Sequence, residues 1–442
     1  IVLDPDTQRR SRFAAAICPE IAPVEGLLVN QRHQGALSVV WAAAPNAPVD
    51  IDQDGSGLAV VWGAAIAPDS ARRQTAASLR TAWQTRPENL FDGFYAAFTY
   101  ERQSGLTVGG DVLGFFPLYY WRGPDVVVIC SSPELLRYHP DFTPRLCVDG
   151  LIGILLMRGI ADSRCLWQGV TRLGAGDWLT VLPDLQVTTR QQYRIPCNKT
   201  DIEAAGYQNL FLEEQLEALT AALDRAIARH APAADQQGLM LSGGLDSRML
   251  AGFLHQQQAT PQLLTFGRRD DLEVLCARSV AQTTGWSHLQ VNPDQILAKA
   301  EPSLTQRCLD AADQLTRWDH LAGGGGSFAG VNWSEMAASI PIAPRMVTGL
   351  AMDRTICGTH VSPPTFEGAL AYEYNRGGLS PAQLRQLFVK DDWLQGKITG
   401  VIDQLHQDYL SDSDVEAQRA WLMSLYHGNR FALGMAAWHL SF

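Results

Sequence analysis

The 442-residue chain has no apolar run near the ~18 residues a membrane-spanning helix requires. Its start, Ile1-Val2-Leu3-Asp4-Pro5, is not a secretory signal, and with no initiating Met it is not expected to be the native terminus. No two of its eight cysteines are spaced C-x-x-C: Cys18, Cys130, Cys147, Cys165, Cys197, Cys276, Cys308 and Cys357 stand apart. That excludes the usual zinc spacings and predicts reduced, mostly buried thiols in a cytoplasmic protein. Positive charge is scarce: 35 Lys and Arg against 46 Asp and Glu leave a net charge of −11. General nucleic-acid binding is excluded on that balance, as is a membrane partner on the missing apolar run, although a local basic groove stays open. Repeats and low-complexity tracts are absent too, and Gly323-Gly324-Gly325-Gly326-Ser327 is the single segment of flexible-linker composition. What remains is an ordinary globular composition long enough for two domains.

The most informative stretch runs from Gly238 to Leu250. Leu239 to Leu241 predicts a buried strand, Ser242-Gly243-Gly244 a tight turn, and Ser247 to about Gln256 a helix. Two glycines let the backbone bend and come close to a ligand with no Cβ in the way. The free N–H groups of the turn and the helix N-terminus point to one spot, an anion site. Ser242 and Ser247 add hydroxyls, and Asp246 adds a carboxylate that a phosphate would repel unless a hard cation lay between them. The pattern thus suits a phosphate chain with Mg²⁺. It is not the Walker form, because no Gly-Lys-Ser/Thr ending follows.

The run Ser242-Gly243-Gly244-Leu245-Asp246-Ser247 resembles the pyrophosphate loop (PP-loop) of ATP pyrophosphatases, which split ATP into AMP and pyrophosphate. Around it the chain alternates strand and helix. A long helical pattern covers Glu203 to His230, with Leu210, Leu212, Leu216, Leu219, Leu223 and Ile227 at helical spacing. A strand at Gln262 to Phe266, a helix at Leu272 to Thr284 and a strand at Leu289 to Val291 follow the loop. This rhythm predicts an α/β domain with a parallel sheet over residues 200–442, its ligand beyond the strand C-termini. Thr348-Gly349-Leu350 with Asp353 resembles the family's second loop, Thr-Gly-x-x-x-Asp, whose Asp binds the same Mg²⁺ as the first-loop Asp. The resemblance implies ATP contacts from Leu241, Ser242, Gly243, Gly244, Leu245, Asp246, Ser247, Thr265, Phe266, Gly267, Thr348, Gly349 and Leu350, with Asp246 and Asp353 as metal ligands. Asp270, Asp271 and Glu273 open the next helix and also read as plain helix N-terminal charges.

Residues 1–195 alternate short β-rich runs with turns, among them Leu58 to Trp62, Phe94 to Tyr100, Leu106 to Val108, Val126 to Cys130 and Trp178 to Val181. Helices are expected at Ala71 to Thr85 and Leu151 to Met157. An α+β domain of layered antiparallel sheets is predicted. Asp92-Gly93-Phe94, Gly110-Asp111-Val112-Leu113-Gly114 through Pro117-Leu118-Tyr119-Tyr120, and Gly174-Ala175-Gly176-Asp177 resemble the Ntn-hydrolase-like glutaminase domain of class II asparagine synthetases. That domain uses an N-terminal Cys nucleophile, where this chain has Ile1. Its oxyanion Asn-Gly falls at Trp62-Gly63, and indole supplies no side-chain amide. Asn30-Gln31-Arg32-His33-Gln34-Gly35 stands where its Arg-His-Arg-Gly-Pro-Asp signature would be. An inactive scaffold is expected, with Cys18 a core thiol and Asp111 structural.

Both halves together resemble the asparagine synthetase superfamily. The implied chemistry is adenylation of a carboxylate by ATP, then attack of an amine on the acyl-AMP. With no glutaminase, the amine is expected to belong to the substrate, as in β-lactam synthetases and lasso peptide cyclases. Leu350 stands where the β-lactam branch has Tyr and asparagine synthetases have Glu, which tilts the expectation towards a peptide cyclase. A precursor or core peptide would be the substrate, and a leader-processing protease of the same pathway a partner. Glu367 and Glu373 are candidate bases, with surface carboxylates as the plainer alternative. The family's late catalytic Lys has no counterpart in context: Lys390 and Lys397 are the late lysines and Arg430 another late cation, so either a C-terminal segment lies beyond Phe442 or the mechanism differs. Trp318-Asp319-His320 could line the acceptor pocket, or His320 could be structural.

Overall fold

The computed structural model describes residues 1–22, 27–68, 70–86, 90–157, 163–195, 199–231, 237–292, 294, 341, 343, 345–349, 352 and 379–410. They divide into two compact units, one built on residues 1–199 and 379–410, the other on 200–294 and 341–352.

The first unit carries two six-stranded sheets. One has the order β10 (Val170–Arg172), β8 (Tyr119–Arg122), β9 (Val127–Cys130), β1 (Val2–Leu3), β3 (Leu37–Ala43), β2 (Leu28–Gln34). The other runs β12 (Val187–Gln191), β11 (Asp177–Val181), β7 (Gly105–Gly110), β6 (Asp92–Glu101), β5 (Gly57–Ile66), β4 (Val49–Gln53). Every strand pair described in them is antiparallel, β1 included, which pairs with β3 and β9. Side-chain alternation along a strand explains the layering. Leu58 and Val60 of β5 face Leu37, Val39 and Ile129 of the other sheet, making the inter-sheet core. Ala59, Val61 and Ala65 of β5 face outward onto Leu79 and Trp83 of α2 (Ala76–Thr85). On the opposite outer face, Val128 and Trp121 pack on Phe13 and Ile17 of α1 (Thr7–Ile17). The order is helix, sheet, sheet, helix, and the predicted layered antiparallel domain is present.

Local chemistry fixes the outer helices. Asp6 caps α1, accepting from Gln8 and Arg9 N–H. A Thr75/Ser78 capping box starts α2, five residues later than the pattern at Ala71 suggested. Buried Arg80 then ties α2 to the sheet, with its guanidinium on Glu101 (2.6 Å), Asp52 (2.9 Å) and Asp54 (2.9 Å). Burial pushes the Cys130 and Cys165 thiols up to about 12, so both are unreactive core thiols, as expected. Cys18, just past α1, is half-buried.

Two late helices complete this unit. α3 (Val148–Met157) buries Ile152 and Leu156 against Leu384 of α8 (Pro381–Leu387) and Ile398, Val401, Ile402 and Leu405 of α9 (Asp392–Leu410). Lys397 reaches Asp149 at 3.2 Å across the same contact. The expected span 200–442 grouped these helices with the parallel sheet, whereas their packing partner is α3.

The second unit is a four-stranded parallel sheet, ordered β15 (His288–Val291), β14 (Gln262–Phe266), β13 (Gln237–Met240), β16 (Arg345–Thr348). α6 (Leu245–Gln256) and α7 (Leu272–Thr284) cover one face through Leu250, Leu254, Ala277 and Ala281, which meet Leu239 and Leu263. The expected helix from Glu203 to His230 is broken. α4 (Lys199–Ala205) ends at Gly206, left-handed at φ +70°, and α5 (Leu212–His230) restarts with Glu214 accepting from Phe211 N–H at 2.8 Å. Ile227 of α5 reaches the sheet core, but Leu212 is 69% and Leu216 53% exposed, so the apolar stripe is buried at one end alone. No helix among the described residues is long and apolar enough to cross a membrane.

Candidate functional site

Strand order places the site. From β13 the chain moves to β14 and β15 on one side, and β16 lies on the other. The C-terminal ends of β13 and β16 therefore flank the point where strand order reverses, the place where open parallel sheets hold ligands. Leu241 to Gly244 follows β13 and Gly349 follows β16.

The corner after β13 holds its own shape. Leu241 is 2% exposed and its N–H donates to Leu264 O at 2.9 Å. Ser247, 5% exposed, turns its hydroxyl back under the bend: Oγ accepts from Ser242 N–H at 3.1 Å and lies 3.2 Å from Ser242 O. Ser242 Oγ accepts from Gly244 N–H at 3.1 Å and stands 3.1 Å from Ser247 Oγ. Gly244 is the N-cap of α6 and offers no side-chain cap, so the first-turn N–H groups of the helix keep their outward donors. Asp246 sits half-buried in that first turn.

Both glycines are closely packed, so a side chain at either would make its neighbours give way by a few tenths of an ångström. A Cβ on Gly243 would stand 3.3 Å from Glu273 Cα and 3.6 Å from Cys276 Sγ of α7. One on Gly244 would stand 3.2 Å from Ser242 Oγ. The second loop comes equally near. A Cβ on Gly349 would lie 2.9 Å from Ser247 N and 3.1 Å from Asp246 Cβ, so the two loops named from sequence meet backbone to backbone. Thr348 pairs with Met240 in the ladder, which sets that meeting. Gln262 supports it from the far end of the sheet: its side chain donates to Pro341 O at 2.8 Å and accepts from Ala343 N–H at 2.7 Å, steering the chain into β16.

The remaining expected residues fall in three groups. Thr265 is 2% exposed and donates its hydroxyl to Leu241 O at 2.7 Å, so it acts on the corner from beneath. Phe266 packs on the sheet's other face with Leu264, Val291 and Met240. Gly267 has φ +147°, and its N–H donates to Val291 O at 3.0 Å. Asp271 accepts from Arg268 N–H at 2.6 Å and is the N-cap of α7, a local structural role. Leu245 is 70% exposed at the start of α6. Leu350, Asp353, Glu367 and Glu373 lie outside the described residues, as do Trp318, Asp319, His320 and Arg430. Among the described residues no group of three or more His, Cys, Asp or Glu could hold a metal ion. Asp246 beside two serine hydroxyls is nonetheless a set of hard oxygen donors, the kind Mg²⁺ takes.

The other expected site, in the first unit, is filled by the fold. Trp62 packs tilted against Phe98 (5.7 Å) and edge-on to Trp41 (6.1 Å) at the inter-sheet core. Gly63 beside it has φ +90°, and a Cβ there would strike Phe94 O. Asp111 is 3% exposed and accepts from the N–H groups of Leu113 (3.1 Å), Phe115 (2.9 Å) and Phe116 (3.3 Å). It is structural, as anticipated. Two contributors had no sequence signal of their own: Gln262, and His288, whose Nε2 stands 3.1 Å from Thr265 Oγ1. The alternation Leu263/Thr265 beside His288/Gln290 is the one pattern that could have paired them.

Residues 218–319 match the asparagine synthase family profile, a stretch that contains the Ser242–Ser247 corner, α6 and α7. This segment is asparagine-synthase-like. No curated protein matches the chain. The solved structure of glutamine phosphoribosylpyrophosphate amidotransferase from B. subtilis, complexed with ADP and GMP, aligns over 66% of this chain and 84% of its own. Its identity is 11% and its TM-score 0.25, too loose a superposition to carry an argument.

Proposed function

We propose that the protein is an ATP-dependent amide-forming ligase that adenylates a carboxylate and couples it to an amine of the same substrate, most specifically a lasso-type macrolactam cyclase acting on a precursor peptide. The observation that carries the ligase reading is the corner after β13, a strand-to-helix bend with inward serines and outward N–H groups, in contact with Gly349. The asparagine synthase match over the same residues supports it.

In this reading the substrate carboxylate attacks the α-phosphorus of ATP, and the bond to pyrophosphate breaks. The N–H groups of Gly243 and the first turn of α6 face the leaving pyrophosphate and stabilise its growing charge without reorganising. Ser242 and Ser247 hold the bend rigid. Asp246, with Asp353, would hold Mg²⁺, which supplies charge neutralisation at the phosphate oxygens. The substrate amine then attacks the acyl carbon, AMP departs, and the proton passes to a base, for which Glu367 and Glu373 remain candidates. The Trp62 indole in the inter-sheet core and the saturated Asp111 carboxylate favour an amine from the substrate over ammonia from glutamine. A leader-processing protease would be the natural partner of such a cyclase.

Incubation with ATP, Mg²⁺ and a candidate precursor peptide should yield pyrophosphate and a product lighter by one water. Asp246→Asn should lower pyrophosphate formation at least ~10²-fold through lost metal-held charge stabilisation. Pyrophosphate release with small amino-acid substrates and none with peptides would move the protein to the small-molecule amide synthetases. Failure to release it with either would leave a nucleotide-binding scaffold.

A further inference from the structure

A side chain two strands away governs the bend. On the sheet face beneath α6 and α7, Thr265 of β14 stands between Leu241 and His288. Thr265 Oγ1 donates to Leu241 O at 2.7 Å, and His288 Nε2 lies 3.1 Å from the same Oγ1. A carbonyl can only accept, so the single hydroxyl proton is committed to Leu241, and the imidazole must donate in the second contact. His288 therefore carries its proton on Nε2. Leu241 O belongs to the peptide whose N–H is that of Ser242, and this N–H donates to Ser247 Oγ at 3.1 Å. The tilt of that one peptide plane is thus held at both ends, by Thr265 below and Ser247 above.

We propose that His288 is a positioning residue for the nucleotide corner: by donating to Thr265 Oγ1 it locks the hydroxyl rotor onto Leu241 O and so fixes the Leu241–Ser242 peptide plane. Its consequence for catalysis rests on the ligase reading, while the relay itself exists without ligand. Both neutral Nε2–H imidazole and imidazolium donate, so the relay persists through the titration of His288. Burial, and then the positive charge of Arg278 on α7, hold the imidazole below its ordinary range.

The test is amide hydrogen exchange, read by mass spectrometry on peptides spanning residues 239–247 of the ligand-free full chain. His288→Leu should speed exchange there about 5-fold, as loss of one buried hydrogen bond implies. His288→Gln, whose amide can donate to Oγ1, should restore most of the protection. Thr265→Val should have the larger effect, and the double variant should match Thr265→Val alone, because His288 acts through Thr265. In the pyrophosphate assay His288→Leu should raise the KM for ATP more than it lowers kcat, equally at pH 6 and 8. Additive effects in the double variant overturn the relay. So does an equal fall in unfolding midpoint and protection for Leu and Gln variants, which would mean simple packing. If the wild-type chain releases no pyrophosphate, the ligase reading falls and exchange still decides the relay.

Discussion

Trp62-Gly63, inside strand β5 of the first unit, and Ser242-Gly243-Gly244, the turn after β13 of the second, are the two glycine positions that family resemblance singles out. They differ in what their polar groups are doing. Around Trp62 the fold has filled the space: the indole packs on Phe98 and Trp41 with its Nε1–H buried and unpaired among the described residues, and nearby Asp111 spends its carboxylate on the backbone N–H groups of Leu113, Phe115 and Phe116. At the turn after β13 the serines satisfy one another and the inside of the turn, leaving the helix N-terminus aimed outward. A glycine position can serve as a site only when its leftover donors open outward, not when they are shut in the core as the Trp62 indole N–H is.

Four measurements would break or sharpen that contrast. The largest effect is expected at Gly349. Gly349→Val places carbon within 2.9 Å of Ser247 N, so the loops must part, and pyrophosphate release should fall at least ~10²-fold while the first unit unfolds as before. Asp111→Ala should do the reverse. It strips an acceptor from several buried N–H groups and should cost about 3 kcal/mol in urea unfolding of the first unit, with KM and kcat for ATP unchanged.

A smaller effect should come from His139, buried between Phe13 (5.1 Å) and Trp121 (5.3 Å). Its Nδ1 accepts from Asp141 N–H, and its Nε2 has no partner among the described residues. Burial, the largest cause, lowers its pKa, opposed by Asp141 and Asp4 and reinforced by Arg9. The folded state therefore binds fewer protons than the unfolded one. The stabilisation is complete above the ordinary histidine value of about 6.5 and is lost as pH falls from there through the folded pKa. Unfolding midpoints measured from pH 7.5 to 5 should drop in the wild type and drop less in His139→Phe. The smallest expected signal is glutamine hydrolysis: glutamate release from glutamine should stay at the buffer background. A rate above it would mean that the Trp62-Gly63 position still works.

What could be read ahead of the structure was whatever is local. Six contiguous residues define the corner after β13, and the periods of strand and helix on either side frame it. The Thr348-Gly349 resemblance also gave the right neighbour, because Gly349 does meet Asp246, while the carboxylate pairing with Asp353 lies outside the described residues. Thr265 was legible as important but not in its role, because its direction depends on strand register, which the alternation alone leaves undetermined. His288 was silent, its partner being 23 residues earlier on another strand. The long helix at 203–230 was started too early: its leucine spacing begins only at Leu210, and Gly206, left-handed in φ, separates α4 from α5. A periodic stripe says that a face is apolar. It does not say what covers it, which is why the docking of α9 on α3 was invisible and why α5 keeps leucines in solvent.

That docking also orders events in synthesis. Ile152 and Leu156 emerge early, and Leu405, their neighbour in the folded chain, comes about 250 residues later. At translation speeds of 5–20 residues per second, α3 presents bare leucines and isoleucines for roughly ten to fifty seconds while the whole parallel sheet is made. The first domain to leave the ribosome is therefore the last to be finished, and anything that grips exposed aliphatic helices should meet this chain at α3.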